Sequence, residues 1–186
     1  MRLGSLNEHG GYMKYFPIWK TIRIGGVTRE ELVTWIPPRA YYDRGRPLRE
    51  ELLDYESFHT EKEQRYVRLA RASFSDLGLT RPALFSQILA RIRELGHELC
   101  PAEVGPHLRR VYTDQPRGEN IDLAMEPFVR PPSKTIIHIN GKPVGPDRLI
   151  FYLDYNNIGQ QRLELGYVGS PDFRRSGGEY VFVLGE

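Results

Sequence analysis

Four residues near the middle of the chain carry side chains that can bind a zinc-like ion, because imidazole, thiolate and carboxylate groups are all zinc ligands. They are His97, Cys100, Glu103 and His107. Their spacing of three, three and four residues would bring them to one side of an unbroken helix. Pro101, Gly105 and Pro106 argue against such a helix and predict a short second helix over residues 107–112 instead. The competing interpretation is structural, with Cys100 as a small buried residue and the histidines at the surface.

Cys100 could also act as a nucleophile, with His97, His107 or His138 as its base. A reactive thiolate needs a pKa lowered by a nearby base or by a helix N-terminus. The carboxylate of Glu103 would oppose that ionisation, and no signature of a cysteine-enzyme family surrounds Cys100. A small metal- or cysteine-dependent hydrolase using Cys100, Glu103 and His107 is therefore the alternative to a binding role, and we assign no catalytic residue.

The stretch that follows is rich in arginine, and its residue types suit binding to a partner. The candidate contact residues are Arg109, Arg110, Tyr112, Gln115 and Arg117. Guanidinium groups beside an aromatic ring and an amide can bind phosphate, stack on a base or clamp a carboxylate. The competing interpretation is that the arginines are solvated or pair with Asp114 and Glu119, which are near in sequence.

The clearest element that could position these residues is an amphipathic helix at residues 81–95. Thr80 can cap its N-terminus, and Gly96 supplies a left-handed stop. Its apolar residues recur at helical spacing: Leu84, Phe85, Ile88, Leu89, Ile92 and Leu95.

Two stretches in the first half alternate in polarity, which predicts strands. In residues 15–24 the isoleucines fall on one face and Arg23 on the other. In residues 65–74, where a strand fits slightly better than a helix, Tyr66 and Arg68 share the face opposite valine and leucine.

Short helices are predicted between these strands. A capping box of Thr28 and Glu31 opens one over residues 29–36, and a weak apolar stripe indicates another near residues 47–56. The last third of the chain has β patterns at residues 121–126, 135–139, 149–154, 162–168 and 180–184, with Asn140-Gly141 as a hairpin turn.

This order predicts an α+β fold. We expect an N-terminal strand and helices followed by an antiparallel β-meander, which the amphipathic helix at 81–95 covers. Residues 1–12 are predicted to be a loose N-terminal extension, and residues 13–186 a single α+β domain.

Composition narrows the class of protein. The net charge of +2 is too small to indicate a nucleic-acid binder by itself. A single cysteine is typical of a reducing compartment, and no apolar run approaches the roughly 18 residues that span a bilayer. We therefore expect a soluble cytoplasmic protein that has no cofactor and no contact with the membrane.

Residues 95–126 contain a specific run of motifs. It reads ELCPAEVGPHLR from Glu98, YTDQPRGE from Tyr112 and AMEP from Ala124. The run resembles a family of uncharacterised bacterial proteins that carry a near-identical ELCPAEVGPxLR…YxDQPxGE…AMEP pattern. The resemblance implies a stand-alone bacterial domain, and because the family has no assigned activity it gives no residue a role.

On these grounds we expect a non-enzymatic binding or accessory domain. The segment at residues 109–117 favours nucleic acid, or a nucleic-acid-bound protein, as its partner.

Overall fold

A computed structural model describes residues 14–36, 47–80, 82–129, 148–168 and 178–185, together with the backbone of short strands at 138–139, 142–143 and 174–175. Within these residues the helices are α1 (Arg29–Thr34), α2 (Leu48–Leu52), α3 (Phe85–Glu94) and α4 (Val104–Val111). The strands are β1 (Lys20–Ile24), β2 (Arg65–Ser73), β3 (Ala83–Leu84), β4 (Asn120–Leu123), β5 (Phe128–Val129), β6 (His138–Ile139), β7 (Lys142–Pro143), β8 (Arg148–Tyr155), β9 (Gln161–Tyr167), β10 (Arg174–Arg175) and β11 (Glu179–Val183).

In the described part of the chain, one seven-stranded sheet organises the fold, which confirms the predicted α+β class. Its order is β1-β2-β11-β4-β8-β5, and β9 also pairs with β8. The pairs are antiparallel except for β4 and β11, which run parallel. The order differs from a simple meander because the last strand, β11, lies between β2 and β4. A central position suits β11, since Tyr180, Val181, Phe182 and Val183 are all buried.

Different segments cover the two faces of the sheet. The register places Ile22, Val67 and Phe151 on one face, where α4 packs against β1, β8 and β9. We call this the α4 face. On the opposite face, Phe182 contacts the rings of Phe16 and His97.

The amphipathic helix predicted at residues 81–95 is present as α3, although it begins four residues later. Its buried side chains, Phe85, Ile88, Leu89 and Ile92, join the common core. The helix that lies along the strands is α4, however, so this shorter helix covers the sheet more directly than α3 does.

Helix α4 runs through Gly105 and Pro106, so the predicted break at these residues is wrong. Both occupy the first turn, after Val104. A proline there removes no helical hydrogen bond, because the N–H groups of the first turn have no partner within the helix. Gly105 also permits a close approach, since a Cβ at this position would lie 2.7 Å from Cδ2 of Phe151 on β8.

The predicted elements at the start of the chain are confirmed. β1 pairs with β2 at one end of the sheet. Thr28 caps α1 by accepting a hydrogen bond from the N–H of Glu31 at 3.1 Å. α2 lies within the helix predicted near residues 47–56.

Two predictions fall outside the described residues, namely the extension at 1–12 and the Asn140-Gly141 turn. β6 and β7 lie on either side of these two residues in sequence and pair antiparallel. The described helices are too short or too polar for any of them to span a lipid bilayer.

Replacing Gly105 with alanine tests the contact between α4 and β8. The added Cβ would overlap the buried ring of Phe151, and overpacking of this kind costs roughly 1–3 kcal/mol. Alanine gains up to about 1 kcal/mol over glycine in a helix, so we expect a net fall in the free energy of unfolding, measured with urea. Val111→Ala is the control, because Val111 lies on the exposed side of α4. A Gly105→Ala protein as stable as the wild type would contradict the close packing.

Candidate binding surface

His97 joins two distant segments of the chain. Its Nε2 lies 2.8 Å from the carbonyl oxygen of Lys14, and its Nδ1 accepts a hydrogen bond from the N–H of Gly185 at 3.3 Å. These partners place the proton of the neutral ring on Nε2. Burial lowers the pKa of His97, and the hydrogen bond to Lys14 partly offsets that shift. Both ring nitrogens are therefore in use, and neither is free to bind a metal.

Cys100 is a buried structural residue. Its Sγ lies 3.4 Å from the carbonyl oxygen of Val181 on β11, and burial raises the pKa of the thiol far above its ordinary range. A thiol that stays protonated at neutral pH is a poor nucleophile. The side chain of His138 lies outside the described residues. The burial of Cys100 thus agrees with the structural interpretation and gives the cysteine-dependent hydrolase no support, but that interpretation also placed the histidines at the surface, and His97 is buried.

The carboxylate of Glu103 binds the backbone of two other segments. Its Oε2 accepts a hydrogen bond from the N–H of Gly25 at 3.0 Å, and its Oε1 accepts one from the N–H of Glu61 at 3.1 Å. Nε2 of His107 lies 3.6 Å from Oε2. Glu103 is 1% exposed, and a carboxylate so deeply buried requires donors of this kind.

The four predicted metal ligands do not form a metal site. Across the described residues, no group of three or more His, Cys, Asp or Glu side chains is arranged to hold a metal ion. The predicted spacing assumed one helix, but α3 ends at Glu94 and α4 begins at Val104. His97, Cys100 and Glu103 therefore lie in the connection between helices, where each faces a different part of the protein.

Three of the five predicted contact residues lie inside the protein. Arg109 donates hydrogen bonds to the side chain of Gln115 and the carbonyl oxygen of Tyr112, and another to Oε1 of Gln161 at 3.0 Å. Nε2 of Gln115 donates to the carbonyl oxygen of Leu153 at 3.2 Å. These contacts hold the loop after α4 against β8 and β9, so Arg109 and Gln115 stabilise the fold.

Tyr112 also belongs to a network around Arg71 on β2. Its hydroxyl donates to Oε2 of Glu119 at 2.6 Å, and Arg71 forms ion pairs with Glu119 and Glu179. Burial and the hydrogen bond to Glu119 raise the pKa of Tyr112 to about 12, so the phenol is protonated at neutral pH. Two carboxylates neutralise Arg71, and its charge is not available to an anionic ligand.

Arg110 and Arg117 are the two predicted contact residues that remain exposed. The guanidinium of Arg110 lies 4.5 Å from the ring centroid of Trp35, and that of Arg117 lies 6.0 Å from the ring centroid of Tyr155. Cation–π contacts of this kind restrain both side chains at the surface. The stretch at 109–117 thus presents two arginines to solvent instead of five contact residues.

A surface that sequence reasoning missed lies on the opposite face, where β1 and β2 pair. The register sets Thr21 against Arg68 and Arg23 against Tyr66, so these four side chains share one face. We call them the β1–β2 corner. All four are exposed, and Tyr66 is 72% exposed. Among the described residues, the side chains of Arg23, Tyr66 and Arg68 have no hydrogen bond, ion pair or ring contact.

The sequence indicated which of these side chains share a face within each strand, but not that the two strands pair. Alternation placed Arg23 on the face opposite the isoleucines of one strand, and Tyr66 and Arg68 on the face opposite Val67 and Leu69 of another. It did not show that the two strands are neighbours, because about forty residues separate them and pairing over such a distance leaves no local pattern.

Comparisons with known proteins supply no assignment. No family model, curated protein or solved structure matches the chain. The resemblance of residues 95–126 to an uncharacterised bacterial family therefore stays a prediction, and the function has to be argued from the surface of this protein.

Glu103→Gln tests whether both carboxylate oxygens support the fold. An amide has one acceptor oxygen, so the N–H of either Gly25 or Glu61 would face an NH₂ group instead. Loss of a buried hydrogen bond costs about 1–3 kcal/mol, and we expect that decrease in the free energy of urea unfolding. Glu98→Gln, at an exposed position, should change stability by less than about 0.5 kcal/mol. Equal stability of the two variants would contradict the role of Glu103.

The lowered pKa of His97 predicts loss of stability in mild acid. Below about pH 6.5, the ordinary pKa of histidine, the unfolded chain binds a proton that the buried ring resists, so unfolding becomes easier as the pH falls. The decrease is at most about 1.4 kcal/mol per pH unit. The pKa values of Glu61 and Asp76 are also lowered. They make stability depend on pH only below about pH 4.5, outside this window.

Urea unfolding between about pH 7.5 and about pH 5.5 measures this effect. His97→Gln should flatten the pH dependence, whereas His59→Gln, at an exposed position, should leave it unchanged. A His97→Gln protein that retains the wild-type slope would show that another group is responsible.

Proposed function

We propose that this domain is a non-enzymatic binding module of the bacterial cytoplasm, and that its ligand is nucleic acid bound at the β1–β2 corner. The observation that carries the proposal is a pair of arginines, Arg23 and Arg68, whose side chains have no partner among the described residues and lie beside the exposed ring of Tyr66 on one sheet face. Most protein–nucleic acid hydrogen bonds go to phosphate and sugar, and arginine is a preferred donor to phosphate.

The charges at the corner favour an anionic ligand. Arg23 and Arg68 are diagonal neighbours across the strand pair, so their Cβ atoms lie roughly 7–8 Å apart. In the described part of the chain no carboxylate forms an ion pair with either guanidinium. Two like charges at this separation repel each other, and a phosphate group bound at each of them would relieve that repulsion.

The contrast with the other arginines supports this choice of surface. Arg71 is neutralised by Glu119 and Glu179, and the donors of Arg109 bind groups of the protein itself. A guanidinium whose donors are already satisfied gains little from phosphate, because the new hydrogen bonds replace existing ones. Among the described residues, the side chains of the two arginines at the corner have no protein partner, so a phosphate would displace only water from them.

Removal of the two charges tests the proposal. The wild-type domain should bind a labelled oligonucleotide at low salt, and its affinity should fall as salt is added. The double variant Arg23→Ala/Arg68→Ala should bind more weakly, and its slope of log affinity against log salt should be smaller by roughly 1.5, because each lost phosphate contact removes about 0.7–0.9. Fluorescence anisotropy across a salt series measures both quantities.

The double variant Arg110→Ala/Arg117→Ala is the matched comparison. It removes the same charge from the stretch at 109–117, and both substituted arginines are exposed. We expect it to retain the wild-type affinity and salt slope. Loss of binding in this variant alone would assign the ligand to residues 109–117, and absence of wild-type binding at low salt would exclude nucleic acid as the ligand.

A further inference from the structure

We infer that the nucleic acid at the β1–β2 corner is single-stranded and that one of its bases stacks on the ring of Tyr66. The inference rests on the proposed function and names the form of its ligand. Tyr66 lies directly across from Arg23 and two residues before Arg68 on the same strand. The Cβ atom of Tyr66 therefore lies roughly 5 Å from that of Arg23 and roughly 7 Å from that of Arg68.

The exposure of Tyr66 indicates a platform for a ligand. The ring is 72% exposed, and within the described residues it contacts no other aromatic ring and accepts or donates no hydrogen bond through its hydroxyl. Several other rings are engaged: Trp19 packs edge-on against Tyr112, and Trp35 against His107. Of these rings, Tyr66 offers an open face on which a planar group can stack.

The shape of the strand pair argues against a duplex. A two-stranded ribbon can enter the major groove of DNA, but only when the ribbon is slim. Here the other side of β1 and β2 carries Ile22, Ile24 and Val67, all buried, and α4 packs on that side. The strand pair is therefore one face of the packed protein and not a free ribbon. It can lie on a duplex, but it cannot enter the groove and reach the base edges.

A single strand fits the same surface without this obstacle. Its bases can turn out and stack on an aromatic side chain, while its phosphates lie over neighbouring arginines. The corner offers one ring beside two cations, which matches one stacked base with a phosphate bound at each arginine. Stacking needs no particular base, because every base has a flat π-face, so we expect little sequence preference.

Substitutions at Tyr66 test this arrangement. Tyr66→Ala should weaken binding of labelled oligo(dT) about tenfold to a hundredfold, the range that stacking of one base contributes, and it should leave the salt slope unchanged. Tyr66→Phe and Tyr66→Trp should retain affinity, because each keeps a ring. Tyr15→Ala is the control, since Tyr15 is also exposed, at 76%, and should bind like the wild type.

Two further probes separate stacking from charge. An abasic strand of the same length should bind the wild type as weakly as oligo(dT) binds Tyr66→Ala, and the duplex should bind more weakly than oligo(dT). Equal affinity for the abasic strand, tighter binding of the duplex, or equal losses in Tyr66→Ala and Tyr15→Ala would each overturn the inference. If one of these results were found and Arg23→Ala/Arg68→Ala still lost binding, the proposed function would stand without the stacking inference. If the wild type bound no nucleic acid at all, both the proposed function and the inference would be wrong.

Discussion

The buried carboxylate of Glu103 is the constraint on which the rest of the structure depends. Gly25 follows β1 directly and Glu61 precedes β2 by a few residues, and Glu103 accepts a hydrogen bond from each. One side chain at the start of α4 therefore fixes the ends of two paired strands and the position of the helix on them. The β1–β2 corner lies on the opposite face of the same strands, so Glu103 also holds the proposed binding surface in shape.

The internal networks show why residue type alone misidentified the binding residues. An arginine, a glutamine and a tyrosine in a short stretch can bind phosphate, but the same donors and acceptors can also satisfy a loop that packs on a sheet. Arg109 and Gln115 are 7% and 3% exposed, and buried polar groups of this kind must be paired. A binding residue differs from a residue that stabilises the fold in having hydrogen-bond donors that remain unpaired at the surface. Whether they remain unpaired depends on the tertiary structure.

Local features of the fold were predictable, and long-range pairing was not. Alternation identified β1 and β2, and Thr28 identified the start of α1, because these signals come from neighbours in sequence. The insertion of β11 between β2 and β4 could not be read in this way, since its partners are distant in the chain. The break predicted at Gly105 and Pro106 failed because a proline in the first turn of a helix resembles a helix breaker in sequence.

Protection of the sheet edge is the main competing explanation for an exposed arginine at the corner. Edge strands often carry charged residues that prevent pairing with other chains, and β1, which contains Arg23, is at the end of the strand order. That explanation does not extend to Tyr66 and Arg68, because β2 pairs with β1 on one side and with β11 on the other. An exposed aromatic ring is also the reverse of what edge protection requires. Edge protection thus accounts for one of the three residues, whereas a ligand with a flat ring and flanking anionic groups accounts for all of them.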